Sequence, residues 1–230
     1  KILDKPGKEV PKELQVVIQS FPRFVSRGGE KLLGALSEFS IELEKRICLD
    51  AGISTGGFTD CLLQHGAYCV YGIDVGYGQT AWSLRQDPRV ILKERTNIRK
   101  ITPLELYGDQ EELPSFAVGD LSFISLALVL PSIKGLLAKD KSEGLFLIKP
   151  QFEVGRERVG KGGVVRDGSA HIDAIQSVIT SALKVNWKPM GLVPSKLKGP
   201  AGNYEYFLWL GGESRFNVDL IKKIVAQTIN

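Results

Sequence analysis

A glycine-rich turn between an apolar strand and an amphipathic helix constrains the fold of this chain more than any other feature. The turn lies in residues 50–60, which read DAGISTGGFTD, and it follows an apolar stretch at 46–50. Residues 58–64 after it place apolar side chains at helical spacing. A strand, a tight glycine turn and a helix in this order are typical of a parallel α/β sheet that binds a nucleotide-like ligand at the helix N-terminus.

The acids around this turn favour a ligand that carries a positive charge. No Gly-Lys-Ser follows the glycines, and three residues separate Gly52 from Gly56, so neither the P-loop nor the dinucleotide motif is present. Asp50 opens the turn, and Asp74 ends the next predicted strand, where a carboxylate can accept hydrogen bonds from both ribose hydroxyls. This pattern predicts S-adenosylmethionine (SAM) as the ligand. The alternative is a turn that only connects strand and helix.

The alternation of apolar and helical segments predicts the fold. The predicted strands lie near Ile47, Val70, Ile91, Phe116 and Leu145. The helical stretches between them indicate a doubly wound parallel sheet, which binds its ligand at the carboxyl ends of its strands. The further predicted elements are a helix at 30–39, strands at 187–193 and 204–210, and a closing helix at 218–228.

The composition argues against several classes of protein. A chain of 230 residues with 43% hydrophobic residues is typical of a soluble globular protein, and a net charge of +4 permits a polyanionic partner without identifying one. The longest apolar run, 121–137, is interrupted by Pro131 and by polar residues, which indicates a strand end and a helix instead of a membrane span.

The cysteines and histidines lack the spacing of metal ligands, so we expect no metal site. The cysteines fall in or beside predicted core elements, which predicts free, buried thiols in a reducing compartment. These residues are Cys48, Cys61, Cys69, His65 and His171.

Two charged residues end predicted strands of the sheet. Asp120 and Lys149 each follow an apolar run that we expect to be buried on both faces. A lysine at such a place needs a partner because its ammonium is costly to desolvate, so a structural Lys149–Asp120 ion pair is one interpretation and a catalytic site is another. Lys31 and Glu205 are also candidates, but by themselves they fit a solvated helix face and an alternating strand position.

Six segments resemble motifs of the TlyA family, the hemolysin-like ribosomal RNA methyltransferases related to FtsJ. They are VSRGGEKL at 25–32, STGGFTD at 54–60, DVGYGQ at 74–79, ERTNIR at 94–99, DLSFIS at 120–125 and IKPQFE at 148–153. The resemblance runs from about residue 26 to residue 210. It implies a Rossmann-like SAM-dependent methyltransferase with a seven-stranded, mostly parallel sheet, one antiparallel strand, and helices on both faces.

The resemblance also implies the reaction and the residues that carry it. SAM would methylate a ribose 2′-hydroxyl of ribosomal RNA, on naked RNA or on ribosomal subunits, in the cytoplasm. The family's catalytic tetrad falls on Lys31, Asp120, Lys149 and Glu205. Lys149 would either act as the base or, if protonated, stabilise the developing alkoxide.

The cofactor would lie against the glycine turn and the strand ends. Asn97 is a candidate for contact with the adenine, although it could instead cap the helix near Pro103. The predicted cofactor-binding residues are Asp50, Gly52, Ser54, Thr55, Gly56, Gly57, Phe58, Asp74, Val75, Asn97 and Asp120.

The family's RNA-binding head is expected to be mostly missing from this sequence. Residues 1–20 resemble only the tail of an S-four-type RNA-binding domain plus a linker with a short apolar run at 14–18, and residues 21–230 form the methyltransferase domain. The segment 155–163 has too few apolar residues to pack, which predicts either a mobile loop that closes over substrate or a solvated loop with routine charges. The basic candidates for RNA contact are Arg23, Arg27, Arg156, Arg158, Lys161, Arg166, Lys196 and Lys198.

Three other functions stay open at this point. A methyltransferase for a small molecule would need an enclosed, largely apolar pocket. A membrane-active cytolysin, which the family's hemolysin name suggests, would need a membrane-seeking or membrane-spanning segment, and the sequence predicts no stable membrane association. A non-catalytic RNA-binding module would transfer no methyl group.

Overall fold

The computed structural model of the chain describes Pro11, Glu13, residues 22–214 and residues 216–229. The domain boundary expected between residues 20 and 21, and the short apolar run at 14–18, lie outside the described residues. The division into two domains therefore stays a prediction.

The described residues form a seven-stranded sheet in which one strand runs against the others. The sheet order is β3-β2-β1-β4-β5-β7-β6, and β7 pairs antiparallel with both of its neighbours while the first five strands are parallel. This architecture confirms the predicted Rossmann-like sheet. The strands are Ile47–Ala51 (β1), Cys69–Ile73 (β2), Val90–Lys93 (β3), Phe116–Gly119 (β4), Glu143–Ile148 (β5), Lys188–Pro194 (β6) and Tyr206–Gly211 (β7).

Helices cover both faces of the sheet, as predicted. On one face, Leu32 and Leu62 belong to a buried cluster with Phe116 of β4, while on the other face Val129 and Val178 belong to a separate core. The helices are Arg27–Phe39 (α1), Gly57–Gln64 (α2), Trp82–Arg85 (α3), Pro103–Tyr107 (α4), Leu126–Gly135 (α5), Pro150–Glu153 (α6), Gly168–Leu183 (α7) and Leu220–Ile229 (α8).

The first helix begins three residues earlier than the predicted start at residue 30. The prediction left out Gly28 and Gly29 because glycine has a weak helix propensity, yet both are helical. Gly29 lies so close to the ring of Phe24, and Gly57 of α2 so close to Ser26, that neither position has room for a side chain. The close packing of α1 on α2 therefore overrides the weak helix propensity of glycine.

The register of the sheet gathers the predicted charged residues at one edge. Ala51 pairs with Gly119, and Gly119 pairs with Phe146, so Asp120 and Lys149 both follow neighbouring strands that end on the same side. Because β7 is antiparallel and its first residue, Tyr206, pairs with Ile148, the preceding Glu205 reaches that same edge. The inverted strand is thus what brings a residue from late in the chain to the carboxyl ends of the parallel strands.

Candidate active site

A cavity of about 630 Å³ opens at the carboxyl ends of β1, β2 and β4. Its volume lies within the range of sites for small molecules and cofactors. Ten of the eleven predicted cofactor-binding residues line it, all except Asp50. The lining includes Gly52, Ser54, Thr55, Gly56, Gly57, Phe58, Asp74, Val75, Asn97, Asp120 and Lys149.

The glycine turn forms the floor of this cavity. Gly52 and Gly56 have φ angles of +84° and +97°, in the left-handed region that glycine adopts without steric cost. The turn closes with a hydrogen bond of 2.7 Å from the Gly56 amide to the Ile53 carbonyl. Gly56 is also the N-cap of α2 and supplies no side-chain acceptor, so the first turn of α2 leaves amide groups for a ligand.

Asp74 joins the glycine turn to the loop after β2. Its Oδ2 accepts a hydrogen bond of 2.7 Å from the Ser54 amide, and its Oδ1 accepts one of 2.7 Å from the Gly76 amide. Each carboxylate oxygen has a second lone pair, so Asp74 retains the capacity to accept from ribose hydroxyls. The predicted ribose contact stays a prediction, with an added role for Asp74 in shaping the turn.

Asp50 lies behind the glycine turn and not on the cavity surface. It is buried, and its Oδ2 accepts a hydrogen bond of 2.7 Å from the Thr59 hydroxyl. Its Oδ1 is buried and has no hydrogen-bond partner among the described residues. Burial raises the pKa of Asp50 to about 7, and the nearby Asp120 and Asp74 contribute to the increase.

Lys149 is held at the cavity by two contacts from the loop after β4. Its Nζ lies 2.6 Å from Asp120 Oδ1 and donates a hydrogen bond of 2.8 Å to the Ser122 hydroxyl. The ion pair that was one interpretation of the sequence is therefore present, and it lies in the cavity wall. The contact with Asp120 is an ion pair without hydrogen-bond geometry, so at least one of the three N–H groups of the amine is left for a substrate group.

Lys31 and Glu205 form a second ion pair at the same edge of the sheet. Lys31 Nζ donates to Glu205 Oε2 at 2.6 Å, and both side chains are almost fully buried. Burial raises the pKa of Glu205 above its ordinary value, while Lys31 opposes the increase and the charges of Lys149 and Asp120 also act on it. The four predicted catalytic residues thus form two ion pairs within electrostatic range of each other, although only Asp120 and Lys149 line the cavity.

Asn97 lines the cavity but does not cap the helix near Pro103. Its Oδ1 accepts a hydrogen bond of 3.0 Å from the Arg99 amide. Helix α4 is capped instead by Thr102, whose hydroxyl accepts from the Glu105 amide in a capping box. The helix-cap alternative for Asn97 is therefore wrong, and its contact with adenine stays a prediction.

The segment 155–163 is folded back on α7 instead of forming an open loop. It contains two short 3₁₀ turns, and Arg158 pairs with Asp167 at 3.0 Å and with Asp173 at 2.5 Å. These ion pairs attach the middle of the segment to α7 and to the residue before it. Closure of the segment over substrate stays a prediction. Arg158 is consequently committed to protein contacts. The exposed candidates for RNA contact are Arg23, Arg27, Arg156, Lys161, Arg166, Lys196 and Lys198.

The sequence did not single out Ser122, Phe123, Gln79 or Glu153. The first three line the cavity, and Phe123 at its rim is 92% exposed with a φ of +64°. All four lie inside segments that resemble the family motifs, DVGYGQ, DLSFIS and IKPQFE, and that resemblance was the available signal. Nothing in the sequence pattern marks an exposed aromatic ring in a left-handed conformation.

The described part of the chain was searched for a metal-binding cluster and for a membrane-spanning helix. Residues 22–214 and 216–229 contain no group of three or more His, Cys, Asp or Glu that could hold a metal ion. No helix among the same residues is long and apolar enough to cross a membrane. Cys48 and Cys61 are buried free thiols and Cys69 is half-buried, as expected.

The model of the FtsJ-like methyltransferase family matches residues 24–212. This chain belongs to that family. The family assignment confirms the predicted class of enzyme, a methyltransferase, and its cofactor, SAM. The cavity fits that cofactor because a left-handed glycine cradle and the uncapped N-terminus of α2 line it, and the carboxyl group of Asp50 is buried behind the cradle.

Relatives of this methyltransferase carry two kinds of name. The 16S/23S rRNA (cytidine-2′-O)-methyltransferase TlyA of Mycobacterium tuberculosis is 52% identical over 197 residues, which cover 86% of this chain and 72% of that protein. Hemolysin A of Brachyspira hyodysenteriae is 44% identical over 83% of this chain and 77% of its own length. A hemolysin-named protein of solved structure from Streptococcus thermophilus is 43% identical with a TM-score of 0.83, over 91% of this chain and 75% of that one.

Proposed function

We propose that this methyltransferase transfers the methyl group of SAM to the 2′-hydroxyl of a cytidine ribose in ribosomal RNA. The observation that carries the proposal is the Lys149 amine, held at the cavity wall by an ion pair with Asp120 and a hydrogen bond to Ser122, with at least one N–H group free. A relative at 52% identity is named as an rRNA (cytidine-2′-O)-methyltransferase, which supports the choice of ribose and base.

The residues of the cavity divide between the two ends of the cofactor. When bound, SAM supplies a methyl group from its sulfonium. The sulfur keeps the electron pair of the broken S–C bond. Asp74 accepts hydrogen bonds from the ribose hydroxyls, and Asn97 contacts the adenine. The amides at the start of α2 hold the carboxylate of the cofactor, while Asp50, buried behind the glycine turn, favours the ammonium group through its charge.

Lys149 acts on the RNA hydroxyl that attacks the methyl group. Its two contacts fix the nitrogen in place before substrate arrives, and such preorganisation lowers the barrier. A neutral amine in that position takes the hydroxyl proton as the new O–C bond forms. An ammonium there instead donates a hydrogen bond to the oxygen as negative charge develops, and the hydroxyl proton passes to solvent. Asp120 orients Lys149. The buried Lys31–Glu205 pair lies close enough for its charges to act on both residues.

The RNA would approach over exposed basic side chains next to this edge of the sheet. Arg27 Nη2 donates to the Lys198 carbonyl at 3.4 Å, and the Lys196 side chain lies over Gly34 of α1, so these three cations lie beside the Lys31–Glu205 pair. Cations in such a group bind phosphates without reading sequence. A ribosomal RNA substrate implies a location in the cytoplasm.

Methyl transfer to purified ribosomal subunits tests the proposal. The protein is incubated with subunits and labelled SAM, and the RNA is digested to nucleosides and analysed by mass spectrometry. The expected product is 2′-O-methylcytidine, and label on a base or in no nucleoside would overturn the proposal. A parallel assay of dye leakage from lipid vesicles tests the function that the hemolysin name suggests, and we expect no leakage.

A further inference from the structure

The carboxylate of Glu153 makes contacts that the proposed mechanism leaves unexplained. Its Oε2 accepts a hydrogen bond of 2.6 Å from the Ser125 hydroxyl, and its Oε1 accepts one of 2.6 Å from the Leu126 amide. Ser125 is the N-cap of α5, yet its own hydroxyl caps no helix amide. The cap of α5 therefore comes from a different loop of the protein, although a serine at that position ordinarily supplies it.

The two loops joined by this contact are the ones that hold Asp120 and Lys149. Asp120 follows β4 and leads through Ser122 to Ser125, while Lys149 follows β5 and is the N-cap of α6, which ends at Glu153. The loops meet at one end through the Asp120–Lys149 ion pair and at the other through Glu153.

The segment between these two attachments is strained. Phe123 has a φ of +64°, a conformation that is unfavourable for a bulky residue and that persists only where the surroundings enforce it. Its ring packs against that of Phe152 at 5.3 Å between centroids, and otherwise it faces solvent at the rim of the cavity. The backbone on either side of Phe123 is held by the Asp120–Lys149 ion pair and by the contact of Ser125 with Glu153.

We propose that Glu153 is a positioning residue for methyl transfer: by capping α5 from the neighbouring loop, it locks the Asp120 loop against Lys149. This inference rests on the proposed function. It assigns to Glu153 no contact with RNA or cofactor, since its carboxylate is committed to Ser125 and Leu126.

Three variants of the full chain test the inference by single-turnover methyl transfer at saturating SAM and RNA. Glu153→Leu removes both acceptors, and we expect the rate to fall about 100-fold, the effect of displacing a reacting group by about 1 Å. Glu153→Gln keeps one acceptor and can donate to Ser125 Oγ, so it should recover most of the rate. Glu105→Leu removes a carboxylate that caps α4, where Thr102 is the partner, and should leave the rate unchanged.

A second measurement does not depend on catalysis. Hydrogen–deuterium exchange of the amides in 121–127 should accelerate at least tenfold in Glu153→Leu, while the dissociation constant for SAM changes less than threefold. Unchanged exchange in 121–127, or a single-turnover rate within threefold of wild type, would overturn the inference.

If Glu153→Leu does not fold, Ser125→Ala tests the inference in its place. It removes one donor to the carboxylate and leaves Glu153 bonded to the Leu126 amide. It should slow transfer several-fold, and an unchanged rate would overturn the inference. Wild-type protein that methylates no ribose would instead refute the proposed function, and the exchange measurement would still test the role of Glu153 in holding the loop.

Discussion

Lys31 and Glu205 are separated by 174 residues in the chain and meet in a buried ion pair with 2.6 Å between Nζ and Oε2. The pair joins α1, which precedes the sheet, to the antiparallel strand β7 near the end of the chain. It therefore links the two ends of the sequence at the edge of the sheet where Asp120 and Lys149 lie. Breaking the pair should lower the free energy of unfolding as well as the rate of methyl transfer.

We predict that Lys31→Met destabilises the fold by about 3–5 kcal/mol, because it leaves the buried Glu205 carboxylate without its partner. The double variant Lys31→Met/Glu205→Leu should recover much of this loss, since no charge then stays buried. Urea unfolding measures the free energy of unfolding of the single and the double variant. As a control, Asp87→Asn breaks the more exposed Arg89–Asp87 pair and should cost less than about 1 kcal/mol. Equal losses for Lys31→Met and Asp87→Asn would contradict the prediction.

We predict that Asp74→Ala weakens SAM binding by about 10- to 100-fold. Hydrogen bonds to a carboxylate contribute about 1.5–3 kcal/mol each, and this variant loses the ribose contact along with the bonds to the Ser54 and Gly76 amides. Titration calorimetry gives the dissociation constant. An affinity equal to that of the wild type would show that Asp74 has no part in cofactor binding.

We predict that Asp50 makes the stability of the ligand-free protein fall as pH rises from about 4 to about 7. Burial raises the pKa of Asp50 from its ordinary 3.8 to about 7, so the unfolded chain ionises this group first. The loss reaches up to about 4 kcal/mol at pH 7 and persists above it. Asp50→Asn cannot ionise, so its stability relative to wild type should increase over this pH range. Parallel stability curves for the two proteins would contradict the raised pKa.

We predict that Cys69 reacts faster than the other two cysteines with a thiol reagent in the native protein. Burial raises the pKa of all three thiols, to about 12 for Cys48 and Cys61, which leaves those two almost no thiolate near neutral pH. Cys69 is half-buried and therefore the most accessible of the three. Mass spectrometry after brief labelling at pH 8 identifies the modified residue. Labelling of all three cysteines at equal rates would mean that the two core thiols are accessible.

The sheet could be predicted from the sequence because each strand is a short apolar run with its own turn signals. The regions near Ile47, Val70 and Leu145 show this pattern, and the structure confirms all three strands. The start of α1 was predicted too late because Gly28 and Gly29 look like a turn. Their helical conformation depends on packing against Phe24 and α2, which local sequence does not encode.

The candidate site was predictable only in part from the residues themselves. Asp120 and Lys149 stand out because charged residues rarely end buried strands, but Lys31 and Glu205 look like ordinary surface residues. Only the antiparallel insertion of β7 carries Glu205 to the catalytic edge. The ion pairs of Arg158 could not be predicted for a similar reason, since its partners lie on α7 and in the loop before it.

The most direct test of the central claim compares wild-type protein with Lys149→Met in single-turnover methylation of ribosomal RNA at saturating SAM. Lys149 Nζ is the group that meets the 2′-hydroxyl in this account, and general acid–base catalysis contributes about 10²–10⁴ to a rate. We expect 2′-O-methylcytidine to form at least 100-fold more slowly in the variant, while SAM still binds. A variant that methylates the same ribose at the wild-type rate would contradict this expectation.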